Sequence, residues 1–162
     1  MAKKLKVGLF SFSCCEDSSI LFLEILNEHY KEWLPLLDFR YARVLKTKNE
    51  LSDIDVAFVE GAIANEHDRQ KVLEIRKNSK KVVAIGSCAC TGLPAGQRNT
   101  FNESQKKEIK FLVQKFNMLD KVLSIPQVVQ VDDLVVGCPM DEQKFVEVLG
   151  KYLKEFGVDG KN

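Results

Sequence analysis

Three observations predict an α/β fold with a doubly wound, mostly parallel sheet of the flavodoxin-like kind. Short apolar runs alternate with helix-length amphipathic segments along the chain. That alternation argues for parallel strands covered on both faces by helices. No repeat, linker or low-complexity stretch breaks the pattern, and 162 residues suit one domain, taken as residues 1–162. Right-handed crossovers then gather the loops at the strands' carboxyl ends, where such folds form their sites.

The elements follow in order. Leu5 to Ser11 is an apolar first strand. Asp17 or Ser18 is placed to cap the next helix, whose apolar positions Leu21, Ile25 and Leu26 recur at helical spacing. Phe39 to Leu45 alternates weakly as a strand, and Val56 to Val59 is a short buried one. Glu66 to Asn78 reads as a helix with Val72, Leu73 and Ile75 inward, followed by the buried strand Val82 to Ile85. Ser104 to Phe116 is amphipathic, with Ile109, Leu112, Val113 and Phe116 on one stripe. Val122 to Ile125 and Leu134 to Val136 read as late strands. Asp141 to Phe156 is the closing helix, with Phe145, Val148, Leu149, Tyr152 and Leu153 on its apolar face.

Composition narrows the function. Apolar residues make up 45% and charged residues 29%, with a net charge of +1. This balance gives no general attraction to nucleic acid or acidic membrane. No apolar run is long enough to span a bilayer, and the N-terminus carries neither a secretory pattern nor a twin-arginine pair. The expected location is cytoplasmic, without direct membrane insertion. Thiols stay reduced there, so five cysteines point to metal or redox chemistry rather than a disulfide framework.

The placement of those cysteines is informative. Cys14 and Cys15 follow the first strand, Cys88 and Cys90 follow the Val82 to Ile85 strand, and Cys138 follows the Leu134 to Val136 strand. A doubly wound sheet brings these three loops to one edge without any local CxxC motif. An iron-sulfur cubane needs four thiolates around a compact core. Gly86, Gly92 and Gly137 beside the cysteines let the backbone approach closely and leave amides for the sulfurs. Pro139 stiffens the last loop. A single cysteine after a strand is most often a small buried hydrophobe, and Cys90 is read that way, as a thiol beside the site.

The runs Cys14-Cys15, Val59-Glu60-Gly61-Ala62-Ile63, Ile85-Gly86-Ser87-Cys88-Ala89 and Val136-Gly137-Cys138-Pro139 occur in the order of one family. The chain resembles the nickel-iron hydrogenase small subunit and the related 20 kDa subunit of NADH:quinone oxidoreductase. Leu93-Pro94-Ala95 and Gln97-Arg98-Asn99 look most like the soluble cytoplasmic hydrogenases. The resemblance implies one 4Fe-4S cluster on Cys14, Cys15, Cys88 and Cys138, acting as the relay nearest the nickel-iron centre of a large subunit. It also implies no catalytic residue in this chain, and further iron-sulfur or flavin electron-transfer subunits as partners. The usual hydrogenase pattern has two cysteines separated by two residues, and Phe12 stands where the first of them falls relative to Cys15. The tandem Cys14-Cys15 instead resembles the quinone-reducing relative. No cysteine lies beyond Cys138, so the expected number of clusters is one.

Other residues carry two readings each. Glu60 either lines a proton path or bonds near the cluster, or its carboxylate caps backbone amides. Glu16 and Asp17 are read as caps of the first helix. His29 and His67 lie in helical stretches away from the cysteines, so neither is expected to bind metal. Arg98 either anchors its loop or forms a surface salt bridge. Phe12, Leu93, Pro94, Pro139 and Met140 cluster around the cysteines and mark that edge as a partner interface, with simple loop packing as the alternative. The expected role is the electron-transfer small subunit of a nickel-iron hydrogenase-type complex. Its rivals are the 4Fe-4S subunit of a quinone-reducing or ion-pumping NADH dehydrogenase-like complex, a cysteine-zinc module, and a flavin-binding module. The serine-rich Ser11 to Ser19 stretch suits flavin but lacks a glycine-rich cradle. Zinc prefers paired knuckles such as CxxC, which are absent.

Overall fold

A computed structural model describes residues 3–158. Five parallel strands form one sheet in the order β2-β1-β3-β5-β7: β1 (Leu5–Ser11), β2 (Leu37–Ala42), β3 (Ile54–Glu60), β5 (Ser79–Ile85) and β7 (Asp133–Val135). This is the flavodoxin-like order, whose winding direction reverses between β1 and β3. Successive residues of β3 explain the two-sided cover. Val56 and Phe58 join a core under α1 (Asp17–Glu28) and α6 (Glu142–Glu155). Ala57 and Val59 join the opposite core under α3 (Glu66–Asn78) and the short helix α4 (Gly86–Thr91). All seven β3 residues are buried, as a central parallel strand requires.

The closing helix matches its pattern: Phe145, Val148, Leu149, Tyr152 and Leu153 are all buried. Each such side chain stabilises by roughly 1.5–3 kcal/mol, against about 1 kcal/mol for the Asp141 cap at its start. Packing therefore fixes α6 and capping trims its end. The helix α2 (Tyr30–Trp33) sets Trp33 into the same core, and His29 stacks on its ring at 4.8 Å.

Several expectations need correction. The Val122 to Ile125 run is not a strand of the main sheet. β6 (Met118–Leu123) instead pairs antiparallel with the three-residue β4 (Ile63–Asn65) in a separate ribbon. Half of β6 is exposed and only Val122 is buried, so it lacks the two apolar faces a central parallel strand needs. Arg98 clamps this ribbon by donating to the carbonyls of Leu119 at 2.5 Å and Asp120 at 3.0 Å, so it is a backbone anchor rather than a salt bridge. The stripe on α5 (Glu103–Lys115) buries no residue, and Leu112 and Phe116 stand exposed. Leu73 is exposed too, while Val72 and Ile75 are inward as expected. The second strand begins and ends earlier than Phe39 to Leu45, and Val44 and Leu45 are exposed beyond it.

The first helix is not capped by its own residues. Glu16 occupies the cap position with φ 67° and makes no cap bond; its carboxylate accepts from the Ser11 hydroxyl at 3.0 Å. The acceptor comes from the end of β3. The carboxylate of Glu60, only 3% exposed, receives the N–H groups of Ser18 and Ser19 at 3.0 Å each and the Ser19 hydroxyl at 2.6 Å. A helix start offers unpaired N–H groups and a positive dipole end, which is what a desolvated carboxylate requires. Of the two readings of Glu60, the structure shows the backbone-capping contact directly.

At the far edge, the Asp133 carboxylate accepts from Lys151 at 2.7 Å and from the Tyr152 hydroxyl, tying β7 to α6. Burial alone would raise Asp133, but Lys151 and Tyr152 outweigh it and hold the carboxyl below its usual range. Its own burial, and then the same contact, push the Tyr152 phenol upward.

Two outcomes are expected. Glu60→Ala strands buried N–H groups and should lower unfolding stability by about 2–4 kcal/mol in urea melts. A loss under about 1 kcal/mol would show that water replaces the carboxylate. A depressed acid contributes stability above its unfolded pKa and loses it as pH falls through the folded value. Asp133→Asn should therefore be less stable than the parent near neutrality, with the gap closing as pH drops below 3.8, the ordinary value for this carboxyl. Parallel urea midpoints at neutral and acid pH check this.

Candidate cysteine site at the sheet edge

The loops at the carboxyl ends of β1, β3, β5 and β7 meet in one place because the strands are parallel and adjacent. Backbone contacts then fix the loops against each other. Phe12 N–H donates to the Glu60 carbonyl at 2.9 Å, and Ser13 and Ala62 exchange two bonds at 3.0 and 3.1 Å. Gly61 permits this approach: with φ +90°, a Cβ there would lie 2.7 Å from the Phe12 carbonyl carbon. The β5 and β7 loops are joined by Ser87 N–H donating to the Gly137 carbonyl at 2.6 Å. One amide expected to be free for sulfur is therefore engaged within the protein.

A single small cleft of about 10 Å³ is lined by Cys14, Cys15, Cys88 and Cys138, with Ser18 and Glu60 in its wall. Cys88 is buried at 6% exposure in α4, Cys14 is half-buried, and Cys15 and Cys138 are exposed at the rim. Cys14 packs with Ala62 and Cys88, and its sulfur lies 3.6 Å from the Ser11 hydroxyl. Burial pushes the Cys14 thiol up to about 11, so a free thiolate is disfavoured there. Cys90 does not line the cleft. Its thiol donates to the Ala84 carbonyl at 3.4 Å on the opposite sheet face, and burial pushes it up to about 11 as well. Cys90 is half-buried and lies outside the cleft.

The donor set suits a cluster. Four thiols from three loops face one cleft, and no histidine lines it. The rim thiols open toward solvent, leaving room for a group larger than the enclosed space. Among the described residues, no three His, Cys, Asp or Glu side chains converge closely enough to hold a single metal ion. His67 is exposed beside Asp68, and His29 stacks on Trp33, both away from the cleft.

Of the residues expected at a partner interface, Leu93, Pro94 and Pro139 are exposed. Phe12 packs partly into the core under α3, and Met140, 2% exposed, is a core residue under α6. Loop packing accounts for Met140 because the turn after Cys138 folds its side chain back beneath the sheet edge. Two site features escaped sequence reasoning: helix α4, and the role of Ser18 between the loops. Neither leaves a local pattern.

A larger crevice of about 650 Å³ opens beside the cleft, between α1 and α3 at the reversal point of the sheet. Phe12, Tyr41, Arg43 and Lys71 help line it. No helix among the described residues is long and apolar enough to cross a membrane.

Comparisons with known proteins agree with this architecture. A chain of an NAD+-reducing NiFe hydrogenase in its H2-reduced state superposes with TM-score 0.78 at 22% identity, covering 94% of this chain and 93% of that one. The Ni-Fe-Se hydrogenase of Desulfomicrobium baculatum superposes with TM-score 0.65 at 16% identity, covering 91% of this chain and 61% of that one. Both likenesses are of fold. In sequence, a vhu subunit of the F420-non-reducing hydrogenase of Methanococcus voltae is 30% identical over 152 residues, 86% of this chain and 53% of that protein. The delta subunit of sulfhydrogenase 2 of Pyrococcus furiosus is 25% identical over 148 residues, 90% of this chain and 60% of that protein. The chain thus spans about half the length of most of the curated relatives it matches. The family model described as NADH ubiquinone oxidoreductase, 20 Kd subunit, matches residues 14–152, from the first cysteine to the buried Tyr152, and the chain belongs to that family.

Proposed function

We propose that this chain is the electron-transfer small subunit of a nickel-iron hydrogenase-type complex, holding one 4Fe-4S cluster on Cys14, Cys15, Cys88 and Cys138. The observation that carries the reading is the convergence of four thiols, from positions up to 124 residues apart by number (138 − 14), on one cleft. Residues 1–162 act as one flavodoxin-like iron-sulfur domain in the cytoplasm. The cluster supplies one-electron storage. The protein's own part is to gather thiolates, hold their loops by the Phe12–Glu60 and Ser87–Gly137 bonds, and exclude water on the Cys14 and Cys88 side. The names of the relatives support hydrogenase chemistry; in the proposed complex, hydrogen is split on a large subunit and electrons pass to further iron-sulfur or flavin subunits. A zinc module is disfavoured, because four thiolates on one zinc stand only about 3.8 Å apart and no such convergence occurs among the described residues.

A second reading has its own support. The tandem Cys14-Cys15 and the family description favour a subunit of a quinone-reducing or ion-pumping NADH dehydrogenase-like complex. A flavin module has only the crevice in its favour. A flavin phosphate would seek a helix N-terminus, yet α1 is filled by Glu60 and α3 by the Asn65 side chain, which accepts from Asp68 N–H at 2.8 Å.

Serine substitution at Cys14, Cys15, Cys88 or Cys138 should abolish the cluster or change its electron paramagnetic resonance spectrum, whereas Cys90→Ser should keep it. Loss of iron in Cys90→Ser with an unchanged spectrum in Cys14→Ser would reverse the ligand assignment. Hydrogen-dependent dye reduction should require a co-purified large subunit. Robust activity in the isolated chain would defeat the relay reading, and quinone-dependent turnover of the intact complex without hydrogen uptake would select the second one.

A further inference from the structure

Ser18 stands where three cysteine loops meet. It is 2% exposed and lies in the wall of the thiol cleft. Its N–H donates to Glu60 Oε1 at 3.0 Å, which ties it to the end of β3. Its hydroxyl oxygen accepts the N–H of Met140 at 3.2 Å, two residues past Cys138. The same oxygen packs against Gly86, two residues before Cys88; a Cβ on Gly86 would come within 2.6 Å of it. The Ser18 side chain therefore touches the Cys88 and Cys138 loops, and its backbone continues from the Cys14-Cys15 loop.

The hydroxyl is left with one function unassigned. A serine hydroxyl has one proton to donate and two lone pairs. One lone pair takes the Met140 amide, but the proton has no acceptor among the described residues. A buried hydroxyl without an acceptor is unfavourable, and the space it borders is the cleft between the thiols. Thiolate and inorganic sulfide are both acceptors, and hydrogen bonds to cluster sulfurs set reduction potentials. The Ser87 amide, one of the backbone donors next to Cys88, is already bound to Gly137.

We propose that Ser18 donates its hydroxyl proton to a sulfur of the cluster, stabilising the reduced form and raising the potential. The inference rests on the cluster reading above and adds a donor to it. No bond is made or broken; the proton stays on oxygen while the cluster gains one electron from its redox partner.

The test uses the iron-loaded chain in its complex, wild type beside Ser18→Ala, with redox titration followed by electron paramagnetic resonance. At the wild-type midpoint, the ratio of reduced to oxidised cluster should fall roughly fivefold in Ser18→Ala, the size of one net hydrogen bond. Proton double-resonance spectra after exchange into deuterated water should show one fewer exchangeable proton coupled to the cluster. If the variant loads iron with unchanged potential and proton couplings, and only its melting temperature falls, Ser18 is a pin between loops and the proposal is overturned. If Ser18→Ala fails to load, Ser18→Gly takes its place in both measurements. A wild-type complex whose small subunit binds no iron would overturn the cluster reading itself, a result distinct from either variant outcome.

Discussion

The buried carboxylate of Glu60 is the contact on which the cysteine edge depends. This carboxylate, 3% exposed, makes no ion pair among the described residues and is held instead by the start of α1. This arrangement works only if β3 ends where α1 begins. That condition forces the intervening Phe12 to Glu16 segment across the sheet edge. The segment carries Cys14 and Cys15, so the capping bond also aims them. The next residue, Gly61, completes the constraint, because any Cβ there would collide with the Phe12 backbone. A single Glu-Gly pair thus links helix capping, loop path and thiol placement.

Much of the fold was legible because parallel central strands and core-facing helices obey simple periodicities. β1, α3 and the buried face of α6 appear as expected. The errors fall where a segment's partner is neither core nor sheet. β6 carries apolar residues but bonds to the three-residue β4, whose brevity leaves no readable pattern. α5 has a clear apolar stripe and buries none of it, with Phe111 67% exposed. Periodicity reports that a face is apolar; it does not report what lies opposite.

The cysteine edge was legible for a topological reason. Strand ends can be marked in sequence, and a doubly wound sheet makes strand ends neighbours. The polar framework around the thiols was not legible. Ser18 meets Glu60 across 42 residues and Met140 across 122, and such pairs leave no spacing signal. Glu16 and Asp17 sit at the right place for helix capping, but Glu16 turns to Ser11 and the cap arrives from β3. Local propensity loses here because a buried charge must find donors, and the helix start is the nearest supply.

The site is asymmetric, and the asymmetry bears on its proposed role. Cys14 and Cys88 sit among Ala62 and Val122, and burial disfavours the Cys14 thiolate unless a metal core shares its charge. Cys15 and Cys138 stand at an exposed rim beside the exposed Pro139. A cluster held in this way is screened by protein on one side and open on the other. Its potential then depends on what covers the rim, since solvent access and sulfur hydrogen bonding both tune iron-sulfur centres. Leu93 and Pro94, also exposed at this edge, are poor partners for water and good ones for an apolar neighbour. On the proposed reading, part of the potential would be set from within the chain, through the glutamate-serine framework. The remainder would be set by a subunit closing over the rim, which would couple assembly and electron transfer through the same four thiols.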